Sequence, residues 1–161
     1  MSTGLSPLAP HPMPGQPRVG FLKPIMTAPN VEIGDYTYYD DPAGPEHFAE
    51  RCVLYHYPFV GDRLVIGRFC ALAAGTRFLM NGGNHRTGGP STYPFPIFGG
   101  GWAGRFSGVM DFPNRGDTVV FHDVRFGLGP TAMSGVRFGA GAAIAALPVV
   151  TRVVPPHPVF A

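Results

Sequence analysis

An apolar residue returns at every sixth position through much of this chain. Val60, Ile66, Leu72 and Phe78 set the rhythm, which resumes at Val120, Phe126, Ala132, Phe138, Ile144 and Val150. A second comb keeps the same period at Leu64, Cys70 and Thr76, and later at Val124, Pro130, Val136, Ala142 and Pro148. An α-helix needs apolar spacings of three and four, and a hairpin sheet needs alternation broken by turns. Six fits neither. It fits a solenoid in which each hexapeptide forms a short strand and a turn, with the periodic residue pointing inward. The small residues Gly61, Gly67 and Ala73, which follow the first three apolar positions, let the chain turn. Stacked coils then bury one continuous core.

The expected fold is all-β, with the first coil starting at Ile33-Gly34-Asp35-Tyr36-Thr37-Tyr38-Tyr39. Residues 40–59 and 79–117 interrupt the repeat and are expected to leave one face of the solenoid as loops, where function concentrates. The hexapeptides themselves are scaffold, because a fold does not dictate chemistry.

At 161 residues the chain is the size of one domain. Its 23 glycines and 19 prolines exceed a quarter of the residues, yet a hydrophobic content of 45% argues against disorder and for many turns and short strands. Residues 1–17 hold five of the prolines and read as a flexible or draped N-terminal arm, leaving 18–161 as the solenoid domain. The net charge of +2 is scattered in ones and twos, which excludes a phosphate backbone or an anionic membrane as partner. Cys52 and Cys70 form no CxxC or Cys/His cluster, so no metal is expected and reduced thiols in a cytoplasmic protein are the simplest account. No 18-residue apolar run is present, and the proline-rich start does not read as a signal peptide.

The longer interruption opens with "NGGNHRTGGP", which sets His85 among glycines. Together with "VEIGDYTYYDDP", "VLYHYPFVGDRLVIGRFC", "FLMNGGNHR" and "STYPFPIFGGGW", it resembles the xenobiotic acetyltransferases of the hexapeptide-repeat superfamily. The streptogramin A (virginiamycin) enzymes are the most similar group, with the type B chloramphenicol enzymes next. The resemblance covers roughly residues 20–159. It implies a left-handed parallel β-helix, a homotrimer, and acetyl-coenzyme A bound between subunits as co-substrate for a small-molecule hydroxyl acceptor.

On the same resemblance His85 is the general base on the acceptor hydroxyl, whose oxygen attacks the thioester without an acyl-enzyme. An imidazole that titrates near ~6.5 is mostly free base at neutral pH and suits that role. Tyr38, Tyr57 and Trp102 are expected beside the acceptor, with Asn84 orienting the loop and Gly82 and Gly83 giving a large ligand clearance. Arg125, Gly127 and Ala145 are expected on the coenzyme side. His56 reads as structural, and His11, His47, His122 and His157 as solvated.

Several positions depart from the family pattern. Phe121 stands for a turn glycine and is expected to strain its turn, while Arg125 stands for a tryptophan. Pro130 and Pro148 are expected to remove ladder donors. Leu147 replaces a small or polar residue beside the coenzyme. "VVTRVVPPHPVFA" ends before the family's G-N-P-A-K segment and C-terminal helix, so a truncation is expected. These departures keep a second reading open, a trimeric β-helix module with little catalysis. A third takes chloramphenicol or another small hydroxyl compound as acceptor.

Overall fold

The computed structural model describes residues 4–105 and 113–160. The hexapeptide strands are two or three residues long and wind through three sheets in turn. The first sheet stacks Val19–Phe21, Tyr38–Asp40, Ala71–Ala73, Arg125–Phe126, Ala143–Ile144 and Val159–Phe160. The second stacks Val31–Ile33, Leu64–Ile66, Thr118–Val120 and Arg137–Phe138, and the third Val53–Leu54, Arg77–Leu79, Thr131–Ala132 and Val149–Val150. All pairings between these strands are parallel except that of Val19–Phe21 with Tyr38–Asp40. This is a parallel β-helix, as the period of six requires.

Register shows why the period survives the long interruption. Arg125 lies beside Ala143 and Thr131 beside Val149, each pair 18 residues apart, so one coil is three hexapeptides. Ala71 lies beside Arg125, 54 residues on, which equals three such coils. The intervening segment leaves and rejoins the solenoid in phase.

The core is built from both combs, with Leu64, Cys70, Val124, Val136 and Ala142 of the second buried beside the first. Ile66, Leu72, Phe78, Val120, Phe126, Ala132, Phe138, Ile144 and Val150 are all buried, and rings of Tyr39, Phe48, Phe78, Phe126 and Phe138 follow one another along the axis at centroid spacings of 5.0 to 6.4 Å. Val60 is the exception: it lies in the short 3-10 turn Pro58–Val60 at the exit of the first interruption, outside any strand. That interruption is also not all loop. Helix Phe48–Cys52 folds back so that Phe48 and Cys52 are buried, and the Tyr39 hydroxyl donates to Asp41 Oδ2 at 2.6 Å beneath it.

The corners entering the first and third sheets repeatedly place a residue in the left-handed region two positions before the next strand. The corner entering the first sheet uses Tyr36, Phe69, Asp123, Gly141 and His157, and the corner entering the third uses Gly75, Gly129 and Leu147. Phe121 therefore does not strain its turn, because the left-handed position there belongs to Asp123. The prolines also cost less than the sequence suggested. At the equivalent place one corner earlier, Thr76 aims its N–H into the turn behind it, to Ala73 O, so Pro130 and Pro148 remove no ladder donor. Their carbonyls still accept from Arg77 and Thr131 at 2.9 Å.

His122 is no idle surface residue either. Its Nδ1 accepts the Arg68 N–H at 3.0 Å, closing one coil on the next. His11 and His47 meet Glu46 and Glu50, at 2.8 and 3.7 Å. The arm is tied at two points, where the Tyr36 hydroxyl donates to Leu5 O and the Phe21 N–H to Pro10 O.

Candidate functional site

The strand Arg77–Leu79 ends at buried Met80, and the chain turns out of the solenoid through the 3-10 turn Asn81–Gly83. Asn81 is fully buried and uses its whole polar inventory. Its N–H and Nδ2 both donate to Asp62 Oδ2 at 2.9 Å, Nδ2 also donates to Gly116 O at 2.8 Å, and Oδ1 accepts from the Arg115 N–H at 2.8 Å. Asn84 repeats the pattern one turn later. Its Nδ2 donates to Asn81 Oδ1 and Pro113 O at 2.9 and 2.7 Å, and its Oδ1 accepts the Ser134 hydroxyl at 3.0 Å. Two asparagines thus join both ends of the long loop to each other and to the coils.

His85 comes next and is exposed, as is Arg86. The loop root below it is hydrogen-bonded to the coils, while His85 itself is exposed.

The glycines work differently from expectation. A Cβ on Gly82 would collide with Tyr55 O and would stand 2.5 Å from Tyr57 Cδ2, and one on Gly83 would stand 3.0 Å from Tyr55 Cδ2. The space that they leave is filled by the chain's own tyrosines. Their absent side chains bring Tyr57 against the root of the His85 loop, where its ring stacks on Phe59 at 5.4 Å with 2° between planes. Tyr57 remains 40% exposed and Tyr38, on the first sheet, 37%.

His56 points the other way, its Nε2 lying 2.9 Å from Asp62 O, in the structural role expected of it. Past His85, Trp102 belongs to an aromatic group with Tyr93, Phe95 and Phe98, at centroid distances of 4.6 to 6.5 Å, and all four rings are exposed.

Arg125, Gly127 and Ala145 lie elsewhere. Arg125 is exposed on the first sheet, whereas the His85 loop leaves from the third. Gly127 sits over Ala145, where an added Cβ would stand 3.0 Å from the Ala145 carbonyl carbon, so its smallness serves coil stacking. Leu147 projects beside them, 76% exposed. Within one chain the proposed base and the proposed coenzyme flank occupy different sheets.

Asp62, Asn81 and Ser134 were not singled out from the sequence. The only signal was Asn81 heading the glycine run. Nothing in the order of residues brings Asp62 or Ser134 to it.

Among the described residues, no group of three or more His, Cys, Asp or Glu is placed to hold a metal ion, and no helix is long and apolar enough to cross a membrane. No family model matches the chain. Curated relatives do. A probable macrolide acetyltransferase of Lysinibacillus sphaericus is 46% identical over 121 residues, covering 75% of this chain and 67% of the relative. Virginiamycin A acetyltransferase of Staphylococcus aureus is 47% identical over 105 residues, 65% of this chain and 47% of the relative. A chloramphenicol acetyltransferase of Morganella morganii is 35% identical over 136 residues, 82% and 63% of the two chains. The chain spans from about half to two thirds of the length of these relatives. Identity at this level, on a solenoid whose repeat follows the expected period, places the chain in the hexapeptide-repeat acetyltransferase family of the macrolide, virginiamycin A and chloramphenicol enzymes.

Proposed function

We infer that this chain is an acetyl-coenzyme A dependent O-acetyltransferase acting on a hydroxyl of a bulky, hydrophobic antibiotic of the streptogramin A type. The observation that carries the reading is the identity of 46 to 47% to the macrolide and virginiamycin A enzymes, against 35% to the chloramphenicol enzyme. The exposed rings of Tyr57, Tyr93, Phe95 and Trp102 support an apolar acceptor.

His85 is the proposed base. Its imidazole takes the proton of the acceptor hydroxyl as the oxygen bonds to the thioester carbonyl carbon. The carbon–sulfur bond then breaks, and the coenzyme thiolate leaves with the proton returned by the imidazolium. No acyl-enzyme is required. Acetyl-coenzyme A supplies the acetyl group, and exposed Arg125 offers its phosphates a cation beside the low-profile Gly127–Ala145 flank. The base and this flank lie on different sheets, which supports a site shared between neighbouring copies of a homotrimer.

His85→Ala is expected to lower kcat/KM by roughly 10²- to 10⁴-fold in a coenzyme-release assay, with the circular dichroism spectrum unchanged. A variant that retained the parent's kcat/KM would remove His85 from the mechanism. Streptogramin A, a macrolide and chloramphenicol in the same assay rank the acceptors, and a preference for chloramphenicol would overturn the assignment of a large acceptor.

A further inference from the structure

We propose that Asp62 and Ser134 are positioning residues for His85, acting from two different coils through the Asn81–Asn84 pair. The proposal rests on His85 as the base.

Asp62 lies just before the strand Leu64–Ile66, and Ser134 on the turn after Thr131–Ala132. They are 72 positions apart in sequence and meet only through the loop root. Asp62 Oδ2 grips the Asn81 main chain and side chain together, Asn81 Oδ1 receives Asn84, and the Ser134 hydroxyl donates to Asn84 Oδ1 and ties it to the coil. Pro113 O can only accept, so Asn84 presents Nδ2 to it and Oδ1 to the Ser134 hydroxyl. The Cα of His85 is one virtual bond, about 3.8 Å, beyond that of Asn84, so a shift of the Asn84 main chain carries the imidazole with it. Displacements on the order of 1 Å at a reacting group cost up to about 10²-fold in rate.

A second observation sets Asp62 apart. It is 1% exposed, and its Oδ1 has no hydrogen-bond partner among the described residues. A buried carboxylate with an empty oxygen is costly to fold around.

The test compares the parent with Ser134→Ala, Ser134→Thr and Asp62→Ala in the full chain. Kinetics are followed by coenzyme release, and order by amide hydrogen exchange. Ser134→Ala is expected to lower kcat about tenfold with the KM for acetyl-coenzyme A and the melting midpoint unchanged. Exchange at residues 81–86 should rise about tenfold, while residues 64–79 keep the parent's rate. Ser134→Thr, which keeps the hydroxyl, restores kcat. Should Asp62→Ala fail to fold, the serine pair decides alone. A kcat within twofold of the parent in Ser134→Ala, or unchanged exchange at 81–86, overturns the proposal. A parent that releases no coenzyme with any acceptor overturns the acetyltransferase reading instead, and the exchange comparison still decides whether Ser134 orders the root of His85.

Discussion

Leu147 shows how single residues bear the geometry of the coils. It holds φ at 68° while its side chain is 76% exposed, so the left-handed backbone is offset by little packing. That conformation costs a residue with a Cβ roughly 1–2 kcal/mol, a penalty that Asn largely escapes. Leu147→Asn is expected to stabilise the fold by about 1 kcal/mol, read as a higher urea midpoint at constant m. Phe69, at φ 61°, differs because its ring stacks on Tyr36 at 5.3 Å. Removing it loses about 0.5–1.5 kcal/mol of stacking, which cancels the relief. Asp41 sets the acid behaviour. Burial pushes its carboxyl up, but the Tyr39 and Ala43 hydrogen bonds, with Arg51 and Arg18, outweigh this and leave it below the ordinary value of 3.8. Stability from a depressed carboxyl is present above the unfolded value and is lost as pH falls through the folded one. The stability gap between parent and Asp41→Asn should therefore be widest near neutrality and shrink below about pH 4, as urea titrations at each pH would show. Cys52, its thiol pushed up to about 11 mainly by burial, is expected to resist thiol reagents at pH 8 until the chain unfolds.

At the scale of an element, the corner after each second-sheet strand explains which glycines matter. A Cβ on Gly34 would stand 2.5 Å from the Gly67 carbonyl carbon, and one on Gly67 would stand 2.8 Å from that of Phe121. Backbone therefore packs on backbone from coil to coil. Gly67→Ala should cost about 1–3 kcal/mol by forcing two coils apart, measured by chemical denaturation. Phe121 breaks this column of glycines without strain, its half-exposed ring lying under the Arg137 guanidinium at 5.7 Å. The loop root is the other decisive element. Gly82→Ala would drive Tyr57 and Tyr55 away from Asn81, and the expected result is lost acetyl transfer with the coils intact.

For the whole molecule, stability runs along the axis through the ladder of rings from Tyr39 to Phe138. Each coil contacts only its neighbours, so damage to a middle rung separates the two ends. Phe126 touches Phe78 on one side and Phe138 on the other, at 5.7 and 5.0 Å. Phe126→Ala is expected to cost about 3–5 kcal/mol, with a lower m-value if the halves unfold separately.

The period of six was enough, by itself, to determine a solenoid and its buried positions, because an inward residue recurs only if every hexapeptide turns the chain by the same amount. Ile66, Leu72 and Phe138 were legible for that reason, and the loop that carries His85 was legible as a break in the period. The tertiary structure alone decided what holds that histidine. Asp62 meets Asn81 only when one coil closes on itself, and Ser134 meets Asn84 only once coils on either side of the long loop stack in phase. It also decided that Gly82 makes room for Tyr57, that Pro130 and Pro148 spare the ladder, and that Asp123 takes the left-handed place beside Phe121. Each of these depends on where a neighbouring coil puts its backbone, a distance that the spacing of residues along one chain does not contain.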